Sequence, residues 1–138
     1  MSKKIAVYLV IFSIFLTGFS DSFTSSNKNV EVFDLTQSKV VKITPTNKVL
    51  QKEAEKSIRS ITLLSKKVSP LPRKGALVRI PLDPAVSIRN EWMDDLVDEV
   101  IIIFGEREKP LLMVFTDENR TLFFEFNYNP KEIRTLLK

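Results

Sequence analysis

Three segments near the C-terminus constrain the fold more than any other feature of this sequence. Residues 100–104 and 111–115 are continuously apolar, residues 121–128 alternate between apolar and other side chains, and short charged segments separate them. Continuous apolar runs of this length are typical of strands that are buried on both faces. Strands that short turns join pair in antiparallel order. The sequence therefore predicts a three-stranded antiparallel meander.

A long amphipathic helix is predicted over residues 47–65. Thr44, Thr46 or Asn47 can cap its start, and the prolines of residues 69–72 end it. Apolar or small residues recur at spacings of four and three, which is the period of one helix face. These residues are Leu50, Ala54, Ile58, Ile61 and Ser65.

Residues 30–35 and 39–44 are β-branched runs that either form a hairpin or contain a true strand only at 39–44, and the alternation of residues 75–82 predicts another strand. A short C-terminal helix follows the meander, because Asn129, Pro130 and Glu132 have the spacing of a capping box. The fold class is α+β, with the long helix packed on an antiparallel meander sheet. This element order resembles the cystatin-like arrangement, but no inhibitory motif of the cystatins is present, so no protease-binding role follows.

The N-terminus has the three parts of a secretory signal. Lys3 and Lys4 precede fifteen uncharged residues, 5–19, and small residues follow. Gly18 and Ser20 suit the −3 and −1 positions of a cut before Asp21. A membrane-spanning helix needs about 20 apolar residues, so residues 5–19 are short for a permanent anchor.

Three domain assignments follow from this N-terminal pattern. Residues 1–20 are a signal peptide or an N-terminal membrane anchor, residues 21–29 a polar tether, and residues 30–138 a single extracytoplasmic α+β domain. If the segment is uncleaved, residues 5–19 contact the membrane. The third hypothesis for residues 5–19, besides a signal peptide and a membrane anchor, is a helix buried in the core of a water-soluble protein.

Residues 16–19 resemble a bacterial lipobox, with Phe19 in the place of the lipidated cysteine. In general architecture the chain resembles small cell-envelope proteins of Gram-positive bacteria. This resemblance implies a place in the envelope and carries no functional residues. Since Phe19 has no thiol, the chain as written cannot be lipidated there.

The sequence contains no cysteine and no histidine. Disulfides, thiolate metal sites, histidine-ligated zinc and the usual nucleophile–histidine pairs are therefore excluded within this chain. None of the three glycines has another nearby, so a glycine-rich phosphate loop is excluded as well. We expect no cofactor and no catalysis. A small hydrolase that uses two carboxylates is a remote alternative.

Charge is segregated along the chain. Residues 39–79 hold eleven basic and two acidic side chains, whereas residues 80–127 hold four basic and eleven acidic ones. Either the two halves form separate solvated or facing surfaces, or the basic half binds anionic lipid or wall polymer. Nucleic acid is not expected, because export separates the chain from it and no aromatic side chain interleaves the basic stretch. The candidate anion-binding residues are Lys48, Lys52, Lys56, Arg59, Lys66, Lys67, Arg73 and Lys74.

Four acidic residues fall within six positions: Asp94, Asp95, Asp98 and Glu99. On a helical turn, carboxylates four residues apart share a face and could bind a hard cation such as Ca²⁺. The alternative is a solvated acidic turn. Neighbouring Trp92 is either a core residue or an exposed binding aromatic.

The function that we expect is therefore that of a non-catalytic exported envelope protein that binds or modulates a partner at the outer face of the membrane. The alternative is a surface protein whose basic helix binds anionic lipid or wall polymer.

Overall fold

Seven antiparallel strands and two helices make up the part of the chain that the computed structural model describes, residues 28–67 and 69–138. The sheet order is β2-β1-β4-β5-β6-β7-β3. This architecture confirms the α+β class, and β5, β6 and β7 are neighbours in the sheet as the meander predicts. The elements are β1 (Asn29–Asp34), β2 (Lys39–Pro45), α1 (Lys48–Arg59), β3 (Ile61–Leu64), β4 (Gly75–Arg89), β5 (Asp94–Gly105), β6 (Leu111–Phe115), β7 (Thr121–Phe126) and α2 (Lys131–Thr135). The predicted signal or anchor of residues 1–20 lies outside the described residues, as do residues 21–27 of the predicted tether.

The central strands are apolar on both faces. Because side chains alternate along a strand, Val78 and Ile102 point to one face while Leu77 and Ile101 point to the other. Helix α1 packs on the first face through Leu50, Ala54 and Ile58. On the second face a smaller apolar cluster forms, and Leu71 of the connection between β3 and β4 packs against it. We call the two sides the helix face and the second face.

The hairpin of β4 and β5 is long and sharply irregular. Its register runs from Gly75↔Gly105 to Pro81↔Glu99, shifts, and resumes at Val86↔Val97. The shift places four residues of β4 opposite one residue of β5, which is a bulge that bends the hairpin. Its far end reaches β7, where the ring centroids of Trp92 and Phe124 are 5.8 Å apart. The predicted strand over residues 75–82 is thus only the first half of β4.

The predicted helix over residues 47–65 was wrong at its C-terminal end. Its start is confirmed, because the Asn47 side chain accepts a hydrogen bond from the Leu50 N–H at 2.9 Å. The helix ends at Arg59, and β3 follows at once and pairs with β7. Ile61 still packs against the helix-face core. Ile61 lies three positions after Ile58, so it fits the helical period although it is on a strand. The apolar pattern therefore could not show where the helix ends and the strand begins.

The predicted capping box at residues 129–132 is also wrong. Pro130 occupies the N-cap of α2 and makes no side-chain cap, and Asn129 instead accepts a hydrogen bond from Arg134 Nε at 2.9 Å. The cap comes from helix α1: Glu53 Oε1 accepts the Ile133 N–H at 3.0 Å. Glu53 Oε2 accepts the Tyr128 hydroxyl at 3.3 Å. Desolvation, and then the Glu53 carboxylate, raises the pKa of Tyr128. A distant carboxylate thus anchors the C-terminal helix.

Substituting Glu53→Ala should lower the free energy of unfolding by about 2 kcal/mol, because the buried Ile133 N–H would lose its acceptor. The matched control is Glu55→Ala on the same helix, which removes only the solvent-exposed pair with Arg59. That change should cost less than about 0.5 kcal/mol. Urea unfolding followed by circular dichroism measures both. Equal losses for the two variants would contradict the assigned role of Glu53.

Candidate functional site

The four basic residues predicted on the helix lie together on its solvent side. Lys48, Lys52 and Lys56 are exposed at successive turns, and Arg59 follows them. Arg59 is paired with Glu55 at 2.9 Å, and Lys56 Nζ lies 5.6 Å from the centroid of the Tyr128 ring. Within the described ranges, neither Lys48 nor Lys52 has an ion pair. This helix surface is available for an anionic partner.

The other four predicted basic residues do not join that surface. Lys66 and Lys67 follow the edge strand β3, and Arg73 and Lys74 precede the central strand β4. The connection between them passes over the second face, because Leu71 packs there. The helix is on the opposite face, so these four residues are separate from the four on the helix.

The predicted cation site on a helical turn is not formed. Asp94, Asp95, Asp98 and Glu99 all lie on strand β5, where residues four apart are separated by about 13 Å. Asp94 pairs with Arg89 at 3.3 Å, and Asp95 accepts the Asp117 N–H at 3.1 Å. No group of three carboxylates in the described ranges is placed to hold a metal ion. The strand geometry therefore distributes these acids among separate contacts.

A buried ion cluster that the sequence analysis did not predict joins strands β1, β4 and β5. Arg79 Nε lies 2.6 Å from Glu99 Oε2, and Arg79 Nη1 lies 3.2 Å from Glu31 Oε1. The side chains of Glu31, Arg79 and Glu99 are 1%, 8% and 20% exposed. All three lie on the second face, because Arg79 is two residues from Leu77 on β4, Glu99 is two residues from Ile101 on β5, and Glu31 is two residues from Phe33 on β1. We call these three residues the ion cluster.

The charge of the ion cluster depends on Glu31. Burial raises the pKa of Glu31 from 4.5 to about 7, and the attraction and hydrogen bond of Arg79 offset this only in part. Repulsion from Glu99 adds to the rise. A sequence signal did exist for this cluster: Glu31 stands between two valines, and Arg79 stands between Val78 and Ile80. Opposite charges inside two apolar strands have to be paired when the strands are buried.

A polar cleft of about 450 Å³ adjoins the ion cluster where the hairpin bends. Gln51 of helix α1 spans it: Gln51 Oε1 accepts the Asp83 N–H at 3.0 Å, and Gln51 Nε2 donates to the Pro81 carbonyl. The cleft thus contains both basic and acidic side chains, and the Gln51 hydrogen bonds connect helix α1 to strand β4 within it. Its lining residues are Lys28, Thr46, Gln51, Arg79, Pro81, Leu82, Asp83, Asp98 and Glu99.

A second groove of about 520 Å³ runs beside the edge strand β3, and its surface is mostly apolar. Trp92 lines it and is partly buried, so this side chain both packs on the core and meets the groove. We call it the edge groove. Its lining residues are Leu63, Leu64, Lys66, Trp92 and Glu125.

Comparison with known proteins found no matching family model, no matching curated protein and no matching solved structure. In the part of the chain that the structure describes, neither helix has the length and hydropathy to cross a membrane.

Substituting Glu31→Gln should remove a pH dependence of stability. Between pH 4.5 and about 7 the folded protein keeps a proton on Glu31 that the unfolded chain has lost. Stability from this group is therefore complete below pH 4.5 and is lost as the pH rises through 7. From pH 5 to 8, the free energy of unfolding of the parent protein should fall by about 2 kcal/mol relative to the variant.

Urea titrations at each pH measure this difference. The control is Glu125→Gln on β7, which removes one exposed negative charge. Exposed charges interact weakly through water, so its difference from the parent protein should stay nearly constant. A constant difference for Glu31→Gln as well would contradict the raised pKa.

Proposed function

We propose that the protein is a non-catalytic module that is exported across the cell membrane and binds a partner protein at its outer face. The N-terminal pattern supports export: Lys3 and Lys4 precede the uncharged residues 5–19, and small residues follow. The place of action is the cell envelope, in keeping with the resemblance to small Gram-positive envelope proteins. Because Phe19 replaces the lipobox cysteine, the chain is held by residues 5–19 or released by cleavage.

The observation that carries this proposal is the sequence pattern itself: two lysines, then fifteen uncharged residues, then small residues. Strand β1 starts at Asn29, so a cut before Asp21 would leave every described strand and helix intact. Residues 21–28 would then link the first strand to the membrane or become a free N-terminus.

A binding role accords with the chemistry of the described residues. The most buried carboxylates are already engaged, Glu31 and Glu99 by Arg79 and Glu53 by the backbone of α2. The sequence lacks histidine and cysteine, the residues most often used near neutral pH as general base and nucleophile. The groove at the sheet edge, in contrast, offers apolar surface to a partner.

Fractionation of expressing cells with N-terminal sequencing tests export. We expect the protein outside the cytoplasm, with a mature N-terminus at Asp21 if it is cleaved. Placing charges in the apolar segment with Ile11→Asp and Phe15→Asp should retain the full chain in the cytosol. The control pair Val41→Asp and Ile43→Asp changes two exposed residues of β2 and should leave export unchanged. Recovery of the unaltered full chain from the cytosol would contradict the proposal.

A second candidate function is the binding of anionic lipid or wall polymer by helix α1. The observation that favours it is the row of exposed lysines at positions 48, 52 and 56, one on each successive turn. Each basic side chain near an anionic membrane surface contributes about 1 kcal/mol. A domain that is already tethered would need only a few such contacts.

Vesicle sedimentation with phosphatidylglycerol in phosphatidylcholine tests this second function. Binding should weaken as salt rises, because exposed charges are screened. The pair Lys48→Gln and Lys52→Gln should lower binding about tenfold or more. The control pair Arg107→Gln and Lys109→Gln removes the same charge from the turn between β5 and β6 and should have little effect. Binding that is indifferent to salt would exclude this function.

A further inference from the structure

We propose that the edge groove binds an extended, apolar segment of the partner protein that carries carboxylates at one end, and that this segment pairs with β3 as an eighth strand. This inference rests on the proposed function, because it specifies how the partner is recognised. Three features of the edge groove support it: an unpaired strand edge, an apolar lining with a fixed aromatic ring, and basic residues at one end.

Strand β3 is the last strand of the sheet and pairs on one side with β7. Within the described ranges no strand pairs with its other side. An exposed edge presents backbone donors and acceptors at the spacing that an extended peptide requires. The inner side is firmly held, since the Ser65 N–H donates to the Phe123 carbonyl at 2.7 Å and the Asn127 N–H donates to the Ser60 carbonyl at 3.1 Å. The edge is therefore a stable template.

Trp92 gives the edge groove a fixed aromatic wall. The Asn90 side chain accepts hydrogen bonds from the N–H groups of Trp92 at 2.9 Å and Met93 at 3.0 Å, which sets the backbone at the hairpin tip. Contact with Phe124 holds the indole against the core. Leu63 of β3 is 41% exposed and lines the same groove. An ordered aromatic ring and an exposed leucine favour an apolar side chain of the ligand at low entropic cost.

The charge at the end of β3 specifies the ligand further. Lys66 lines the edge groove and Lys67 follows it, and both are exposed. Neither lysine has an ion pair within the described ranges. The two edge segments of a second copy, residues 60–67 at β3 and 39–45 at β2, contain no carboxylate, so neither would complement Lys66 and Lys67. Carboxylates on the ligand would complement these lysines, so a foreign acidic segment fits better than self-association.

The opposite edge strand, β2, provides a matched comparison. Val41 and Ile43 are 45% and 53% exposed there, so this edge is also apolar and unpaired among the described residues. Neither side chain lines the edge groove or the polar cleft, and Trp92 lies at the other end of the sheet. A ligand that is recognised by the edge groove should therefore bind at β3 and not at β2.

Selection from a phage-displayed random octapeptide library on the full chain tests the inference. Enriched peptides should alternate apolar residues and carry aspartate or glutamate at one end. Synthetic copies without tryptophan should shift the emission of Trp92, the only tryptophan of the chain. Leu63→Glu, and separately the charge reversals Lys66→Glu and Lys67→Glu, should each weaken binding at least tenfold, whereas Ile43→Glu should leave it unchanged.

The inference is overturned if no peptide is enriched, if Trp92 emission does not respond, or if Ile43→Glu weakens binding as much as Leu63→Glu. Circular dichroism establishes that the variants are folded. Lys66 and Lys67 are exposed and have no side-chain partner in the described ranges, so their reversal keeps the test valid even if Leu63→Glu unfolds the protein. Cell fractionation tests export independently, so failure of the edge groove and failure of the proposed function are separable.

Discussion

The rest of the structure depends on the two central strands, β4 and β5, which carry apolar side chains on both faces. Val100 and Ile102 of β5 face helix α1, while Ile101 and Ile103 face the opposite side. Such strands are stable only between neighbours and under cover on each face, because apolar area left in water costs roughly 25 cal/mol per Å². The helix, the bent hairpin tip and the connection that carries Leu71 all pack against this centre. Their positions follow from the need to cover it.

The placement of charge follows from the same constraint. Polar groups that the sheet buries are all paired in the described part of the chain, where no buried side-chain nitrogen or oxygen lacks a partner. Arg79 joins carboxylates from two neighbouring strands, and Glu53 joins a helix to the C-terminal turn. Breaking such a pair costs more than forming it contributes, because a lone buried charge remains. These contacts therefore specify register and packing more than they add net stability.

Local patterns in the sequence predicted the elements that local physics determines. The apolar runs of the meander were predicted, and Asn47 was one of three predicted candidates for the helix cap, since strand periodicity and capping depend on near neighbours. Elements that depend on distant partners were not predicted. Strand β3 forms because it can pair with β7, and α2 is capped by Glu53 from another helix. The same holds for the sites. The helix lysines lie on one face as a helical period requires, but the edge groove and the ion cluster arise only when remote strands meet.

The central proposal is that the domain folds without residues 1–20, which cleavage of a signal peptide would require. Hydrogen exchange on a chain of residues 21–138 tests it most directly. The account predicts one cooperative unfolding transition and the slowest exchange at the amides of β4, β5 and β6, where burial is deepest. If this chain instead showed fast exchange throughout and regained slow amides only when residues 1–20 were restored, those residues would belong to the core, and export would no longer account for them.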